Sequence, residues 1–113
     1  AQTTNDLKFL AVKKAGKVNL IELQDLYYIR GAGIYSELHL KNGQTTLHDK
    51  SLEKLEQLLI GSFERTHKSY LVPLREIEQI MVQSGSRYHL LLKNGEILPI
   101  GRARYKELKK KMS

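Results

Sequence analysis

The sequence predicts a small, mostly β domain of about eight to ten short antiparallel strands with two short helices. Three observations lead there. Lys-Asn-Gly occurs twice, at residues 41–43 and 93–95, each time between apolar stretches of strand length. Asn-Gly is the strongest short hairpin signal, because both residues tolerate positive φ. Only two stretches space their apolar residues for a helix, and the 113 residues fit one domain without room for a second.

The elements follow in order along the chain. Ala1–Asp6 is small and polar and reads as a linker remnant, leaving residues 7–113 as the domain. Lys8–Lys14 and Val18–Ile21 flank Ala15-Gly16-Lys17 as a hairpin. Leu26–Arg30 reads as a strand broken by Gly31-Ala32-Gly33, and Tyr35–Leu40 alternates into the first Asn-Gly turn, with Gln44–His48 returning. Ser51 can cap a helix that carries Leu52, Leu55, Leu58 and Leu59 at helical spacing and ends at Gly61. An extended stretch from Phe63 to Val72 follows, then a strand near Ile77–Gln83 and a turn at Ser84-Gly85-Ser86. Tyr88–Leu92 and Glu96–Ile100 form the second Asn-Gly hairpin, and a basic helix over Arg102–Met112 closes the chain with Tyr105, Leu108 and Met112 on one side. Leu38-His-Leu-Lys-Asn-Gly and Leu90-Leu-Leu-Lys-Asn-Gly make an internal echo. Only the turn matches well, so it reads as a common way to turn a strand and not as a duplication.

Charge and composition exclude more than they specify. The net charge is +7. Residues 1–61 hold eight Lys/Arg against seven Asp/Glu, whereas residues 62–113 hold eleven against five. A basic face of that kind suits phosphates, acidic partners or anionic lipid, although Lys109, Lys110 and Lys111 could also be a solvated tail. There is no cysteine, hence no disulfide, thiolate metal site or cysteine nucleophile. No apolar run approaches the roughly 18 residues that cross a bilayer. The histidines, His39, His48, His67 and His89, lack helical metal-site spacing, and no His-Glu-x-x-His, nucleophile elbow or phosphate loop is present. Gly31-Ala-Gly33 lacks the third glycine and following helix of a dinucleotide site. No enzyme class and no cofactor is supported.

Phe63-Glu-Arg-Thr-His-Lys-Ser-Tyr-Leu-Val-Pro-Leu-Arg75 is the informative stretch. Strand alternation would put Arg65, His67 and Ser69 on one side and Thr66 and Lys68 on the other. Clustered charges and hydroxyls suit phosphate contacts, and a long lysine can reach acceptors on a base edge. His67 and Ser69 could equally satisfy backbone groups at a strand bend.

Arg-Thr-His-Lys-Ser-Tyr-Leu-Val at 65–72 resembles the signature of the LytTR-type (LytR/AlgR family) DNA-binding domains of bacterial response regulators. The resemblance continues in Leu23-Gln-Asp-Leu-Tyr-Tyr-Ile29, in the helix at 51–58, and in Leu98-Pro-Ile-Gly-Arg-Ala-Arg-Tyr105, which looks like the family's closing strand, arginine-bearing loop and last helix. It implies short antiparallel sheets that present loops, not a recognition helix, to successive major grooves of bent duplex DNA. The positions matching base contacts are Ile34 and Tyr35 in a loop, Lys68, and Arg102; Arg65, His67, Ser69 and Arg104 match phosphate partners. Arg102 fits physically, since a planar guanidinium can bond guanine O6 and N7 together, and a cation at a helix start otherwise opposes the macrodipole. Three departures bear on the recognised sequence: Lys68 stands where arginine or asparagine is usual, Pro73 where asparagine is common, and Gly101 where serine is common.

The expected function is therefore sequence-specific binding of double-stranded DNA at promoter direct repeats or imperfect palindromes, as the cytoplasmic, nucleoid-associated output domain of a transcription regulator. No membrane contact by this domain is expected. The isolated domain should be a monomer that pairs on DNA or through a receiver domain absent from this sequence. Two alternatives stand beside it: a single-stranded nucleic-acid module using tyrosines as stacking platforms, and a β module that docks acidic proteins.

Overall fold

The computed structural model describes residues 7–112, which form ten strands in three antiparallel sheets and two α-helices. β1 (Phe9–Lys14) and β2 (Lys17–Glu22) make a two-stranded ribbon joined by Ala15 and Gly16, both at positive φ, the turn geometry that matches strand twist. β3 (Leu26–Ala32), β4 (Tyr35–Leu40), β5 (Thr45–His48), β6 (Phe63–His67) and β7 (Tyr70–Pro73) form a five-stranded sheet in the order β5-β4-β3-β7-β6. β8 (Ile77–Gln83), β9 (Arg87–Leu92) and β10 (Ile97–Ile100) form the third, in the order β10-β9-β8. The helices are α1 (Leu52–Leu58) and α2 (Arg102–Met112).

Two hydrophobic cores flank the five-stranded sheet. One gathers Leu10 and Val12 of the ribbon, Leu52, Leu55 and Leu59 around α1, and Ile29, Leu38 and Leu71 of the sheet. The other gathers Tyr28 and Val72 with Ile77, Leu90, Leu92, Leu98, Ile100 and Leu108 of α2. Neighbouring residues of one strand face opposite sides, so Ile29 and Tyr28 of β3, and Leu71 and Val72 of β7, serve different cores. These two strands are covered on both faces, which is why they read as unbroken apolar-aromatic runs.

The phase of β3 is set by an irregularity. Leu26 pairs with Leu40 and Tyr28 with His39, leaving Tyr27 as an extra residue. That bulge reverses the alternation, so Leu26 enters the first core and Tyr28 the second although they are two residues apart. β8 repeats it: Ile77 pairs with Leu92 and Gln79 with Leu91. The likeness goes further. Leu23–Asp25 and Leu74–Glu76 are both single 3₁₀ turns before their strands. Lys41 N–H bonds Asp25 O at 2.7 Å, as Lys93 N–H bonds Glu76 O at 2.9 Å. The order of 3₁₀ turn, bulged strand, strand, Lys-Asn-Gly turn, strand and helix thus occurs twice, and the echo extends well beyond the turn to which the sequence confines it.

Several expectations are corrected. Among the Asn-Gly residues only Gly43 and Gly95 take positive φ, 89° and 92°. Each turn closes around three residues, with Leu40 N–H to Gln44 O and Leu92 N–H to Glu96 O, both 2.9 Å. The asparagine instead accepts from the backbone two residues on (Asn42 Oδ1 from Gln44 N, 2.9 Å; Asn94 Oδ1 from Glu96 N, 3.0 Å). Phe63–Val72 is not one extended stretch: it folds back at Lys68-Ser69 into the β6–β7 hairpin, with His67 paired to Tyr70 and a bulge at Thr66. Thr66 is consequently buried while Lys68 sits exposed at the tip, so the two do not share a side. Leu58 of α1 and Met112 of α2 are exposed, because each core is filled by the other apolar residues of its helix. The linker expected at 1–6 lies outside the described residues.

Candidate nucleic-acid interface

The β6–β7 hairpin holds together the three segments that carry the expected contacts. Gly31 N–H bonds Ser69 O at 2.8 Å, tying the end of β3, just before the β3–β4 turn, to the hairpin tip. Gly101 N–H bonds Thr66 O at 2.9 Å, tying the junction of β10 and α2 to the bulge of β6. A Cβ at Gly31 would lie in van der Waals contact with Leu52, 3.4 Å from its Cδ2, so this end of β3 runs close to the start of α1. Gly33, at φ 69°, makes the turn itself.

The proposed base-contacting residues are all exposed. Ile34 is 73% accessible and Tyr35 47%. Lys68 and Arg102 have no side-chain hydrogen bond or ion pair to any described residue. Arg102 begins α2, where the helix dipole disfavours a cation.

The four residues matched to phosphates separate into different environments. The Arg65 side chain is only 7% accessible and turns inward, with Nη1 2.7 Å from Glu56 Oε1 and Nη2 3.2 Å from Glu53 Oε2, both on α1. Its Nε donates to His67 O at 3.0 Å, and Nη2 donates to Lys68 O. Arg65 thus departs from the outward position expected of it. Its partners lie nine and twelve residues away across a reversal of the chain, which strand alternation could not foresee. Glu53 and Glu56 lie one turn apart on α1, but nothing in the sequence aims them at Arg65. Arg104 is half-committed, donating to Arg65 O at 3.4 Å and lying 3.9 Å from Glu56.

His67 Nδ1 accepts from Ser69 N–H at 3.1 Å, and its ring meets Tyr70 edge-on at 5.7 Å. This is the strand-bend role that the sequence left open. Partial burial, then Lys68, Arg104 and Arg65, hold the His67 pKa below its ordinary value. His48 is also held low, chiefly by burial, and its Nδ1 accepts from Lys50 N–H at 3.1 Å.

Sequence reading did not single out a cationic cleft of about 940 Å³ beside Arg102. Lys106, Lys109 and Lys110 of α2 line it with Ser86 and the stacked rings of Tyr88 and Tyr105, whose centroids are 3.8 Å apart. Lys111 faces elsewhere and pairs with Glu64 at 2.8 Å.

The chain matches the LytTr DNA-binding domain family over residues 16–113. It is 31% identical over 106 residues to the transcriptional regulatory protein BtsR of Escherichia coli, covering 91% of this chain and 42% of that protein. It is 28% identical to the sensory transduction protein LytT of Bacillus anthracis, covering 97% of this chain and 45% of that protein. The chain thus spans under half the length of these relatives. A solved LytTr DNA-binding domain of a response regulator from Bacillus cereus superposes with a TM-score of 0.81 at 22% identity, covering 95% of this chain and 98% of that one. The chain belongs to the LytTR family of DNA-binding domains.

Proposed function

We propose that the chain binds double-stranded DNA sequence-specifically, as the output domain of a cytoplasmic two-component transcription regulator. The observation that carries this is the gathering of the Ile34-Tyr35 loop, Lys68 and Arg102 around one hairpin, with both cations unpartnered. Lys68 and Arg102 read base edges in the major groove, and Ile34 and Tyr35 make apolar contacts there. Ser69, His67 through Nε2, and Arg104 serve the phosphates. The names of the relatives, transcriptional regulatory and sensory transduction proteins, support the regulatory context. The domain acts as a monomer that pairs on repeated half-sites.

Selection from random DNA, followed by anisotropy titration of the enriched duplex across salt, tests this. Enrichment of a defined motif with affinity falling steeply with salt is expected, at a slope near −0.9 per phosphate neutralised. Recovery of no motif sinks sequence-specific binding. The single-stranded alternative is disfavoured by the tyrosines themselves: Tyr28 stacks on His39 at 4.3 Å and Tyr88 on Tyr105, and among the described residues Tyr35 is the one exposed tyrosine.

A further inference from the structure

The guanidinium of Arg65 touches the backbone of the turn that presents Lys68. It donates from Nε to His67 O and from Nη2 to Lys68 O, while α1 holds its other side through Glu53 and Glu56. The same turn is fixed by His67 Nδ1, which accepts from Ser69 N–H, and by Gly31 N–H, which donates to Ser69 O. Three successive residues, 67 to 69, are therefore held at the backbone while the Lys68 side chain is free. Two carboxylates neutralise Arg65 and would repel a phosphate brought to it. Only a planar fork can span two adjacent carbonyls and two carboxylates at once; an ammonium offers one nitrogen.

We propose that Arg65 is a positioning residue for sequence reading, an internal clamp that joins α1 to the Lys68 turn and does not itself contact DNA. This rests on the reading of Lys68 as a base contact. A held turn spares Lys68 the ordering that a mobile tip would need on binding, so the clamp acts on the cognate complex, where Lys68 must meet one base edge. On random duplex Lys68 has no such edge to meet.

The test is a double-mutant cycle of Arg65→Lys and Lys68→Ala, titrated on the selected duplex and on random duplex across salt. Arg65→Lys should lower the cognate preference about tenfold. Random-duplex affinity should stay within about twofold, with the salt slope unchanged. In the Lys68→Ala background, the further loss from Arg65→Lys should be under about twofold. Equal losses on both duplexes with a slope smaller by about 0.9 would make Arg65 a phosphate contact and overturn the clamp. Full preference in Arg65→Lys, with preference lost in Lys68→Ala, overturns the clamp and leaves the base-reading role of Lys68 intact. Unchanged preference in Lys68→Ala overturns that role and the clamp with it. If circular dichroism shows Arg65→Lys to be unfolded, the Glu53→Gln, Glu56→Gln pair takes its place. It is read only by cognate preference over random duplex, since removing two negative charges raises affinity for any duplex. A loss of preference of about tenfold is expected, and full preference overturns the clamp.

Discussion

Arg65, Lys68, Arg102 and Arg104 are equally basic, yet their neighbours give them different work. Carboxylates and carbonyls occupy Arg65, Arg104 is partly shared, and Lys68 and Arg102 face solvent alone. Arg102→Ala should weaken binding to the selected duplex by about 1–3 kcal/mol and to random duplex much less, measured by anisotropy titration. Equal losses would demote Arg102 to a phosphate contact. The histidines give a second expectation at this scale. Both His48 and His67 have folded pKa values below the unfolded one, so the unfolded chain binds protons first. Their contribution is present above the ordinary pKa, near 6.5, and is lost as pH falls from there through the folded values. Thermal melts between pH 8 and 5 should show the midpoint falling below about pH 6.5. The fall should be smaller in His48→Asn and in His67→Asn, and an unchanged pH profile in both variants would refute the assignment.

Helix α2 is divided lengthwise. Tyr105 and Leu108 pack on the second core and Lys111 is pinned to Glu64, whereas Lys106, Lys109 and Lys110 line the open cleft behind Arg102. If that row follows the DNA backbone, replacing all three lysines with glutamine should reduce the salt slope by about 0.9 for each phosphate no longer neutralised. Cognate preference should change little, and an unaltered slope would mark the row as merely solvated. The Lys-Asn-Gly turns carry a different constraint. Gly95 sits at φ 92°, where an L side chain is strained, so Gly95→Ala should destabilise the domain by about 1–2 kcal/mol in urea titration. Asn94→Ala should cost about 1 kcal/mol through removal of its turn hydrogen bond.

At the scale of the molecule, the two cores share β3 and β7, and neither closes without them. Glu76 adds a polar tie: its buried carboxylate lies 2.8 Å from Lys41 Nζ and 3.5 Å from Arg75 Nε, while Arg75 donates to Leu23 O at 2.6 Å. The cores should therefore unfold together. Leu71→Ala and Val72→Ala open opposite cores, and each should lower stability, by about 2–5 kcal/mol for the leucine, within a single cooperative transition. Two resolved transitions by calorimetry would show the cores to be independent.

The fold class, the order of most elements, the β3–β4 turn that carries Ile34 and the helix that starts at Arg102 were legible in the sequence, because turn chemistry and apolar period are local properties; the hairpin turn that presents Lys68 was not. The Asn-Gly turns, the Ser51 cap (which accepts from Lys54 N–H at 3.4 Å) and the basic closing helix each depend on residues a few positions apart. Tertiary structure decided what depends on phase and on distant partners. One extra residue at Tyr27 sends Leu26 and Tyr28 into different cores, and a bulge at Thr66 with a reversal at Lys68 undoes simple alternation through the signature stretch. No local rule reveals that Arg65 faces α1, since Glu53 and Glu56 approach it only after the chain has turned back on itself. A side chain's neighbours, and hence its charge environment and its part in DNA binding, are fixed by that return.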